Sequence, residues 1–232
     1  MITRNSVPAF AQSTFEKFAQ SDRYKNKIIE DFIDQQGEHP SNWRDFETAF
    51  AADALQDYST TNSRVLDVGS NHLFIAGLCA TRKVTTVDVR PRKITPNNEF
   101  VVVADAKQIP LPDQSFDVVL SLNAIEHFGL GRYGDPIDID ADFHAAREWK
   151  RLLAGGGIMI VSTTISSLGD ALAFNAHRIY SYQTIRALFS GLMPLRESVY
   201  SNRSKRRSTL AELETPEFAW DLYVGVYQRS DA

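Results

Sequence analysis

The sequence predicts a doubly wound α/β fold with a mostly parallel sheet, an antiparallel closing strand and N-terminal helices. From residue 64 onward, short runs of Val, Leu and Ile alternate with amphipathic stretches of helical period. This alternation is expected when helices cover both faces of a parallel sheet. The last two apolar runs, PLRESVY and AWDLYVGVYQR, have no helix between them, which indicates an antiparallel pair.

The individual strands follow from continuous apolar runs bounded by polar turns, which are typical of strands buried on both faces. In chain order these runs are RVLDVG, KVTTVDV, EFVVVAD, SFDVVLSL and GGIMIVST. Helices are predicted near residues 73–81 and 140–153. A further helix after Ser181 runs through Ile185 and Leu188.

The sequence pattern predicts an N-terminal helical appendage at residues 1–60 and the α/β domain at residues 61–232. In the appendage, Trp43, Phe46 and Phe50 would share one face of a helix that Ser41 can cap. An earlier helix is predicted from apolar residues at helical spacing, which are Tyr24, Ile28, Ile29, Phe32 and Ile33.

Composition and charge restrict the class of protein. The chain has 232 residues, of which 43% are hydrophobic, so it can bury a sizeable core. The formal charge of −4 is made of interspersed signs, so nucleic acid is disfavoured as a partner. No apolar run reaches the roughly 18 residues of a membrane span, and the opening stretch lacks the pattern of a secretory signal. We therefore expect a cytoplasmic protein.

The single cysteine, Cys79, excludes an intramolecular disulfide and a cysteine metal site, and no metal site is predicted. It lies in the apolar stretch FIAGLCA, which indicates a packed thiol and not a nucleophile. The oligomeric state is left open by the sequence.

Polar or glycine residues stand at the ends of three successive predicted strands, where ligands bind in such sheets. The first strand ends at Asp67 and Gly69, and the glycine would let the backbone approach a ligand closely. The second ends at Asp88, whose carboxylate can accept hydrogen bonds from both hydroxyls of a ribose. The third ends at Asp105 and Ala106, which suit contact with an adenine edge. The series predicts a nucleotide-type cofactor.

The segments around these residues resemble the class I S-adenosylmethionine-dependent methyltransferases. The similar segments are VLDVGSN, VDVR, ADAKQIPLPDQSFDVVLS and RLLAGGGIMIV, and the resemblance covers about residues 60–230. It implies a Rossmann-like methyltransferase sheet and S-adenosyl-L-methionine as the cofactor. The cofactor-binding residues that it implies are Asp67, Gly69, Ser70, Asn71, Asp88, Asp105, Ala106 and Asn123.

One departure from that family lies in the first turn. At the second and third glycine positions of the family's glycine-rich pattern, this chain has Asn71 and Leu73. Asn tolerates left-handed backbone conformations, so the turn can form. The departure keeps open a non-catalytic Rossmann-like scaffold, or a nucleotide-binding protein with a degenerate glycine turn.

A second glycine pattern, Gly129, Gly131 and Gly134, has the spacing of a dinucleotide-binding fingerprint but the wrong context. It follows the fourth strand at a distance of several residues, and Pro136 stands where a helix should begin. The next strand has no acidic residue at its end. An NAD-dependent oxidoreductase is therefore disfavoured, and the glycines are expected to shape a loop.

The segment EHFGLGRYGDP, together with FNAHRIY, resembles a little-characterised branch of the methyltransferases that is catalogued as a domain of unknown function. That resemblance implies a small-molecule acceptor, with glycan precursors among the candidates. His127 is the first candidate for a general base and Glu126 the second. The candidate acceptor residues are Arg132, Tyr133, Asp135, His177, Arg178 and Tyr180.

These residue types predict O-methylation of an oxygen-rich and anionic acceptor, such as a sugar or a phosphorylated compound. The His177 group is expected in a loop after the fifth strand. A packing role for His127, for the His177 group and for Arg132 stays open. The basic run at residues 201–207 could grip a phosphorylated or nucleic-acid acceptor, but it has no interleaved aromatic residues.

Overall fold

Strands and helices alternate along most of the chain. The computed structural model describes residues 6–31, 41–213 and 220–231. The strands are β1 (Ile28–Asp31), β2 (Val65–Val68), β3 (Val84–Asp88), β4 (Glu99–Val103), β5 (Phe116–Leu122), β6 (Leu153–Ile165), β7 (Ala171–Asn175), β8 (His177–Ile179), β9 (Leu192–Ser201), β10 (Arg206–Ser208) and β11 (Asp221–Arg229). The α-helices are α1 (Gln12–Gln20), α2 (Ser41–Tyr58), α3 (His72–Leu78), α4 (Ala141–Leu152) and α5 (Tyr182–Leu188).

The central sheet has the strand order β10-β9-β11-β6-β5-β2-β3-β4. Strands β4, β3, β2, β5 and β6 are parallel, and β11 pairs antiparallel with both β6 and β9. The order reverses between β2 and β5, which is the position where such sheets bind ligands beyond their carboxyl ends. The predicted fold class, including the antiparallel closing strand, is confirmed.

Helices cover both faces of this sheet. On one face, Trp43 and Phe50 of α2 pack with Ile75 of α3 against the sheet. On the other face, Trp149 of α4 and Ile185 of α5 pack against it. None of the helices within the described ranges is long and apolar enough to cross a membrane. The shared apolar face predicted for α2 is therefore confirmed, since it is the face that meets the core.

A second, three-stranded sheet corrects the prediction for the N-terminal region. Strand β1 pairs parallel with β7, which pairs antiparallel with β8. Ile28 and Ile29 are therefore in a strand, where a helix was predicted. The partner strand lies more than 140 residues away, and its backbone hydrogen bonds outweigh the local helical spacing. Phe32 and Ile33 lie outside the described residues, and the boundary near residue 60 stays a prediction.

Buried charges join the small sheet to α4. Arg178 is fully buried in β8, and its Nε lies 3.6 Å from Asp142 Oδ2. Arg23 donates to both oxygens of the Asp142 carboxylate, at 2.8 and 2.5 Å, and the Tyr180 hydroxyl donates to it at 3.0 Å. Burial opposes ionisation of Asp142, but Arg178 and Arg23 outweigh it and hold the pKa below its ordinary value.

The same guanidinium also fastens the loop that carries the second glycine pattern. Arg178 donates to the backbone carbonyls of Phe128, Asp138 and Ile139. The prediction that Arg178 and Tyr180 bind the acceptor from a loop is therefore wrong. Both side chains are buried and hydrogen-bonded within the fold, and Arg178 belongs to a strand.

We expect Arg178→Met to lower the free energy of unfolding by about 3–5 kcal/mol, because it removes a hydrogen-bond donor from buried carbonyl groups and a cation from beside the buried Asp142 carboxylate. Urea denaturation followed by circular dichroism measures the change. Arg147→Met is the matched control, since Arg147 is exposed on α4 and its loss should cost within about 0.5 kcal/mol. Equal stability of the two variants would contradict this role for Arg178.

Candidate functional site

A crevice of about 650 Å³ opens where the strand order reverses. Its size is within the roughly 300–1,000 Å³ typical of small-molecule sites. The sequence-predicted residues that line it are Gly69, Ser70, Asn71, Asp88, Asp105, Ala106, Asn123, His127, Tyr133 and Asp135. The fold therefore brings together most of the predicted cofactor residues and part of the predicted acceptor loop.

The turn after β2 forms one wall. Gly69 has a φ of +74°, and a Cβ there would lie 3.0 Å from the Cβ of Ala124. Asn71 has an extended backbone and caps α3, because its Oδ1 accepts a hydrogen bond from the backbone N–H of Leu73 at 2.9 Å. Leu73 is 81% exposed and does not line the crevice. The two departures from the glycine pattern therefore leave the crevice open. Asn71 is accommodated as the cap of α3, and not by a left-handed backbone conformation.

Asp88, at the end of β3, is bound by an arginine that the sequence reasoning missed. Arg90 Nε and Nη2 donate to the two oxygens of the Asp88 carboxylate, at 3.1 and 3.0 Å. The Arg90 guanidinium also lies 4.7 Å from the centre of the Tyr133 ring. Both residues line the crevice, so Arg90 links its β3 side to the loop after β5. The closely spaced arginines of VDVRPR were the available signal.

Asp67 is the predicted cofactor residue that the structure places outside the crevice lining. It is fully buried, and its Oδ1 accepts a hydrogen bond from the Ser70 N–H at 3.3 Å. Burial raises the pKa of the Asp67 carboxyl to about 7. Arg92 lies 4.0 Å from it and forms an ion pair with the buried Glu99. Asp67 therefore stabilises the turn that carries Ser70, a lining residue, and does not itself face the crevice. Direct contact between Asp67 and the cofactor is not supported.

The loop after β5 owes its shape to glycines, as predicted. Gly129, Gly131 and Gly134 all have φ between +73° and +85°. A Cβ at Gly129 would lie 2.2 Å from the carbonyl oxygen of Asp138. Asp135 accepts hydrogen bonds from the N–H groups of Gly129 and Tyr133, at 2.6 and 3.3 Å. Asp135 therefore holds the loop closed on itself, while Tyr133 presents its ring to the crevice.

The two candidate bases differ in environment. His127 lines the crevice, and its Nδ1 lies 2.6 Å from the carbonyl oxygen of Ala176. A carbonyl can only accept, so Nδ1 carries the proton and donates it, which assigns the lone pair of the neutral ring to Nε2. Glu126 is buried outside the lining, with Oε2 accepting from the Thr163 hydroxyl at 3.0 Å. Burial raises the pKa of the Glu126 carboxyl to about 8.

The remaining acceptor candidates lie behind the crevice wall. Arg132 donates to the carbonyl of Ala176 at 3.1 Å. His177 is in β8, not in a loop, and its ring packs 4.6 Å from that of Trp220. Neither residue lines the crevice, and the same holds for the exposed basic run at residues 203–207. Both residues contact side chains of the lining, since Arg132 lies 5.4 Å from the Tyr133 ring and His177 lies 6.2 Å from the His127 ring, but neither faces the crevice itself.

One further lining residue comes from the N-terminal helix. Arg44 of α2 lines the crevice and donates from Nη1 to Glu47 Oε1 at 2.7 Å. Glu47 is fully buried, and burial raises the pKa of its carboxyl. Its Oε2 accepts from Asn123 Nδ2 at 2.7 Å. No sequence motif marks Arg44, because its role depends on where α2 packs.

The buried Glu126 predicts a pH dependence of stability. Its pKa lies near 8 in the folded state and at the ordinary 4.5 in the unfolded chain, so between these values the folded state holds more protons. Stability must then fall as the pH rises from 5 to 8, by up to about 1.4 kcal/mol per pH unit for this group. Glu126→Gln should flatten the slope in urea denaturation series, relative to the wild type. An unchanged slope would show that Glu126 is ionised in the fold.

Comparison with solved structures identifies the fold. A search of curated proteins finds no match. The 1,6-didemethyltoxoflavin-N1-methyltransferase of Burkholderia thailandensis, solved with S-adenosylhomocysteine, is 16% identical, with a TM-score of 0.58 over 82% of this chain and 79% of that one. The N-methyltransferase NodS of Bradyrhizobium japonicum WM9 is 16% identical, with a TM-score of 0.57 over 96% and 99%. The [4+2]-cyclase SpnF is 12% identical, with a TM-score of 0.62 over 96% and 93%.

These similarities establish the fold of the class I methyltransferases for this chain. The similarities establish the fold and not the activity, because a cyclase has the same fold. A family match covers residues 81–219, which include β3 to β10, the glycine loop and the small sheet's β7 and β8. The chain belongs to the family described as Caenorhabditis protein of unknown function, DUF268.

Proposed function

We propose that this protein is an S-adenosyl-L-methionine-dependent methyltransferase that methylates an oxygen atom of a small, oxygen-rich acceptor. The observation that carries the proposal is the crevice at the switch between β2 and β5, with Gly69, Asp88 and Asp105 on three successive strand ends. Two structurally similar proteins are methyltransferases that were solved with bound S-adenosylhomocysteine, which supports the same cofactor here.

The residues present fit this cofactor. Gly69 leaves the space that a Cβ would fill, so the backbone can approach a ligand closely. Asp88 offers two carboxylate oxygens suited to a pair of ribose hydroxyls, and Asp105 and Ala106 lie at the next strand end, where an adenine would be contacted. When bound, S-adenosylmethionine supplies an electrophilic methyl group on a sulfonium centre.

The other half of the crevice would hold the acceptor. His127 Nε2 carries the lone pair of the neutral ring and would accept the proton of an acceptor hydroxyl. Tyr133 and Phe128 give this half an aromatic wall. Glu126 does not suit the role of base, because its pKa of about 8 keeps it protonated at neutral pH. Orienting the hydroxyl and the methyl group in line is the main task of the wall.

A different activity on the same fold is the alternative, and the similarity to the cyclase SpnF favours it specifically. A scaffold that has lost the cofactor is a second alternative. The open crevice counts against lost binding, because Leu73 points away from it. Binding and methyl transfer must therefore be measured separately.

The cofactor assignment predicts opposite effects for the two members of one ion pair. Asp88→Asn should weaken S-adenosylhomocysteine binding by about 10- to 100-fold, because charge-assisted hydrogen bonds to the ribose are lost. Arg90→Gln should strengthen binding by about 1.5- to 5-fold, because the ribose no longer competes with an exposed ion pair. Isothermal titration calorimetry measures both affinities.

Each variant breaks the same Arg90–Asp88 contact, so a purely structural effect would move both affinities in one direction. That result would contradict the assignment of Asp88 to the ribose. A wild-type protein that shows no heat with millimolar S-adenosylhomocysteine would contradict the proposed cofactor itself.

The methyl-transfer step is tested with isotopically labelled S-adenosylmethionine and a pool of hydroxylated and phosphorylated metabolites, with products identified by mass spectrometry. We expect a labelled methyl ether from the wild type. His127→Asn should lower kcat by about 100- to 10,000-fold while leaving S-adenosylhomocysteine affinity within about twofold. Asn can keep the hydrogen bond to Ala176, so full activity in this variant would exclude His127 as the base.

A further inference from the structure

Three adjacent cations lie at one edge of the central sheet, outside the crevice. Lys205 ends the turn that follows β9, and Arg206 and Arg207 begin β10. All three residues are exposed. We call these three residues the basic turn. They belong to the basic run of the sequence, and the proposed function gives them no role so far.

The charges of the basic turn are not neutralised within the fold. Lys205 Nζ donates to Asn202 Oδ1 at 2.6 Å, and Arg207 Nε donates to the Ser198 hydroxyl at 3.1 Å. Both acceptors are uncharged. In the part of the chain that the structure describes, no carboxylate forms an ion pair with Lys205, Arg206 or Arg207. The terminal nitrogens of both arginines are therefore available to an anion from outside, although the whole chain carries a formal charge of −4.

The strand register places the basic turn at the same end of the sheet as the crevice. Arg207 pairs with Tyr200 of β9, which pairs with Leu222 of β11, which in turn pairs with Thr164 near the carboxyl end of β6. The crevice opens beyond the carboxyl end of the next strand, β5. Three strand spacings separate β5 from β9, and four separate it from β10. At about 4.8 Å per spacing, these distances are about 14 and 19 Å.

A series of contacts connects the candidate base with the basic turn. The His127 ring lies 6.2 Å from the His177 ring, which lies 4.6 Å from the Trp220 ring. Trp220 is partly exposed. The next residue, Asp221, accepts a hydrogen bond from the backbone N–H of Asn202 in the turn, at 2.7 Å. The end of the sheet therefore forms one continuous surface from the crevice to the basic turn.

We propose that the basic turn binds a phosphate-type anion at the far end of the methyl acceptor, while the reacting hydroxyl of that acceptor lies at His127. The planar forks of Arg206 and Arg207 suit phosphoryl oxygens, and Lys205 adds a compact charge. The inference rests on the proposed function and deepens it by naming the class of acceptor. The separation of the two ends favours an elongated molecule, in which a hydroxylated ring is joined to a longer phosphorylated part.

The first measurement titrates inorganic pyrophosphate into the protein by calorimetry, with and without saturating S-adenosylhomocysteine. About 0.15 M salt screens distant charges. Arg207→Gln is matched by Arg147→Gln, because Arg147 is exposed on α4 and loses the same charge. Lys205→Gln is matched by Lys93→Gln. Lys93 is exposed and lines the crevice, so it tests whether the anion binds there instead.

We expect Arg207→Gln and Lys205→Gln each to weaken pyrophosphate binding by about 5- to 50-fold, because a charged hydrogen-bond donor is lost. Arg147→Gln and Lys93→Gln should stay within about twofold of the wild type. Equal weakening by Arg147→Gln would overturn the site, because only the net charge would then matter. Weakening by Lys93→Gln alone would place the anion in the crevice and overturn it as well, and so would a wild type that binds no pyrophosphate.

The second measurement tests whether the anion belongs to the acceptor. Small metabolites are separated by anion exchange into a neutral and a phosphorylated fraction, and each fraction is incubated with labelled S-adenosylmethionine. We expect the labelled product in the phosphorylated fraction. Arg207→Gln should lower kcat/KM for this acceptor by about 5- to 50-fold through KM, with little change in kcat, because the basic turn is remote from the reacting atoms. Mass spectrometry shows whether the phosphate belongs to a nucleotide or to another ester.

A labelled product confined to the neutral fraction would overturn the assignment of the anion to the acceptor. Equal kcat/KM in the wild type and Arg207→Gln would overturn it too, and a fall in kcat at unchanged KM would indicate a structural effect. A wild type that methylates neither fraction contradicts the proposed function. Pyrophosphate titration of the unliganded proteins then still decides the anion site, since binding that Arg207→Gln weakens supports it and equal or absent binding rejects it.

Discussion

The fold depends on the interactions of one buried carboxylate, that of Asp142, with the side chains around it. It is fully buried, and it receives Arg23 from the segment after α1, Arg178 from β8 and Tyr180 from the end of the small sheet. A buried carboxylate without such partners would be strongly unfavourable, so these segments must assemble around α4 together. The N-terminal region is thereby held to the sheet, although it precedes the first central strand.

One arm of this cluster reaches the crevice. Arg178 donates to three carbonyl groups of the loop between residues 128 and 139, and that loop carries Tyr133. The glycines and Asp135 fix the rest of its path. Arg178, which does not line the crevice, thus helps to fix the loop that places the Tyr133 ring at the crevice. The same loop therefore lines the crevice and contributes to the buried polar contacts of the fold.

A second buried carboxylate plays the corresponding part on the opposite wall. Glu47 ties α2 to the ends of β5 and β6 through Asn123 and Ser162. One side of the crevice therefore carries the exposed Arg90 side chain paired with Asp88, and the other side rests on the buried carboxylate of Glu47. Burial of Glu47, Glu126 and Asp67 in one region also concentrates groups whose pKa is raised.

The five parallel strands of the central sheet, the closing antiparallel pair and the residues at the strand ends could be predicted from the sequence alone. These features are local. An apolar run indicates a buried strand, and a glycine or an acid at its carboxyl end indicates a ligand site, whichever strands lie beside it. Gly69, Asp88 and Asp105 therefore could be placed before the fold was known. The tertiary structure decided which polar side chains are exposed, because their partners come from distant segments. It buried Arg178 against Asp142, placed Ile28 in a strand, and brought Arg44 to the crevice.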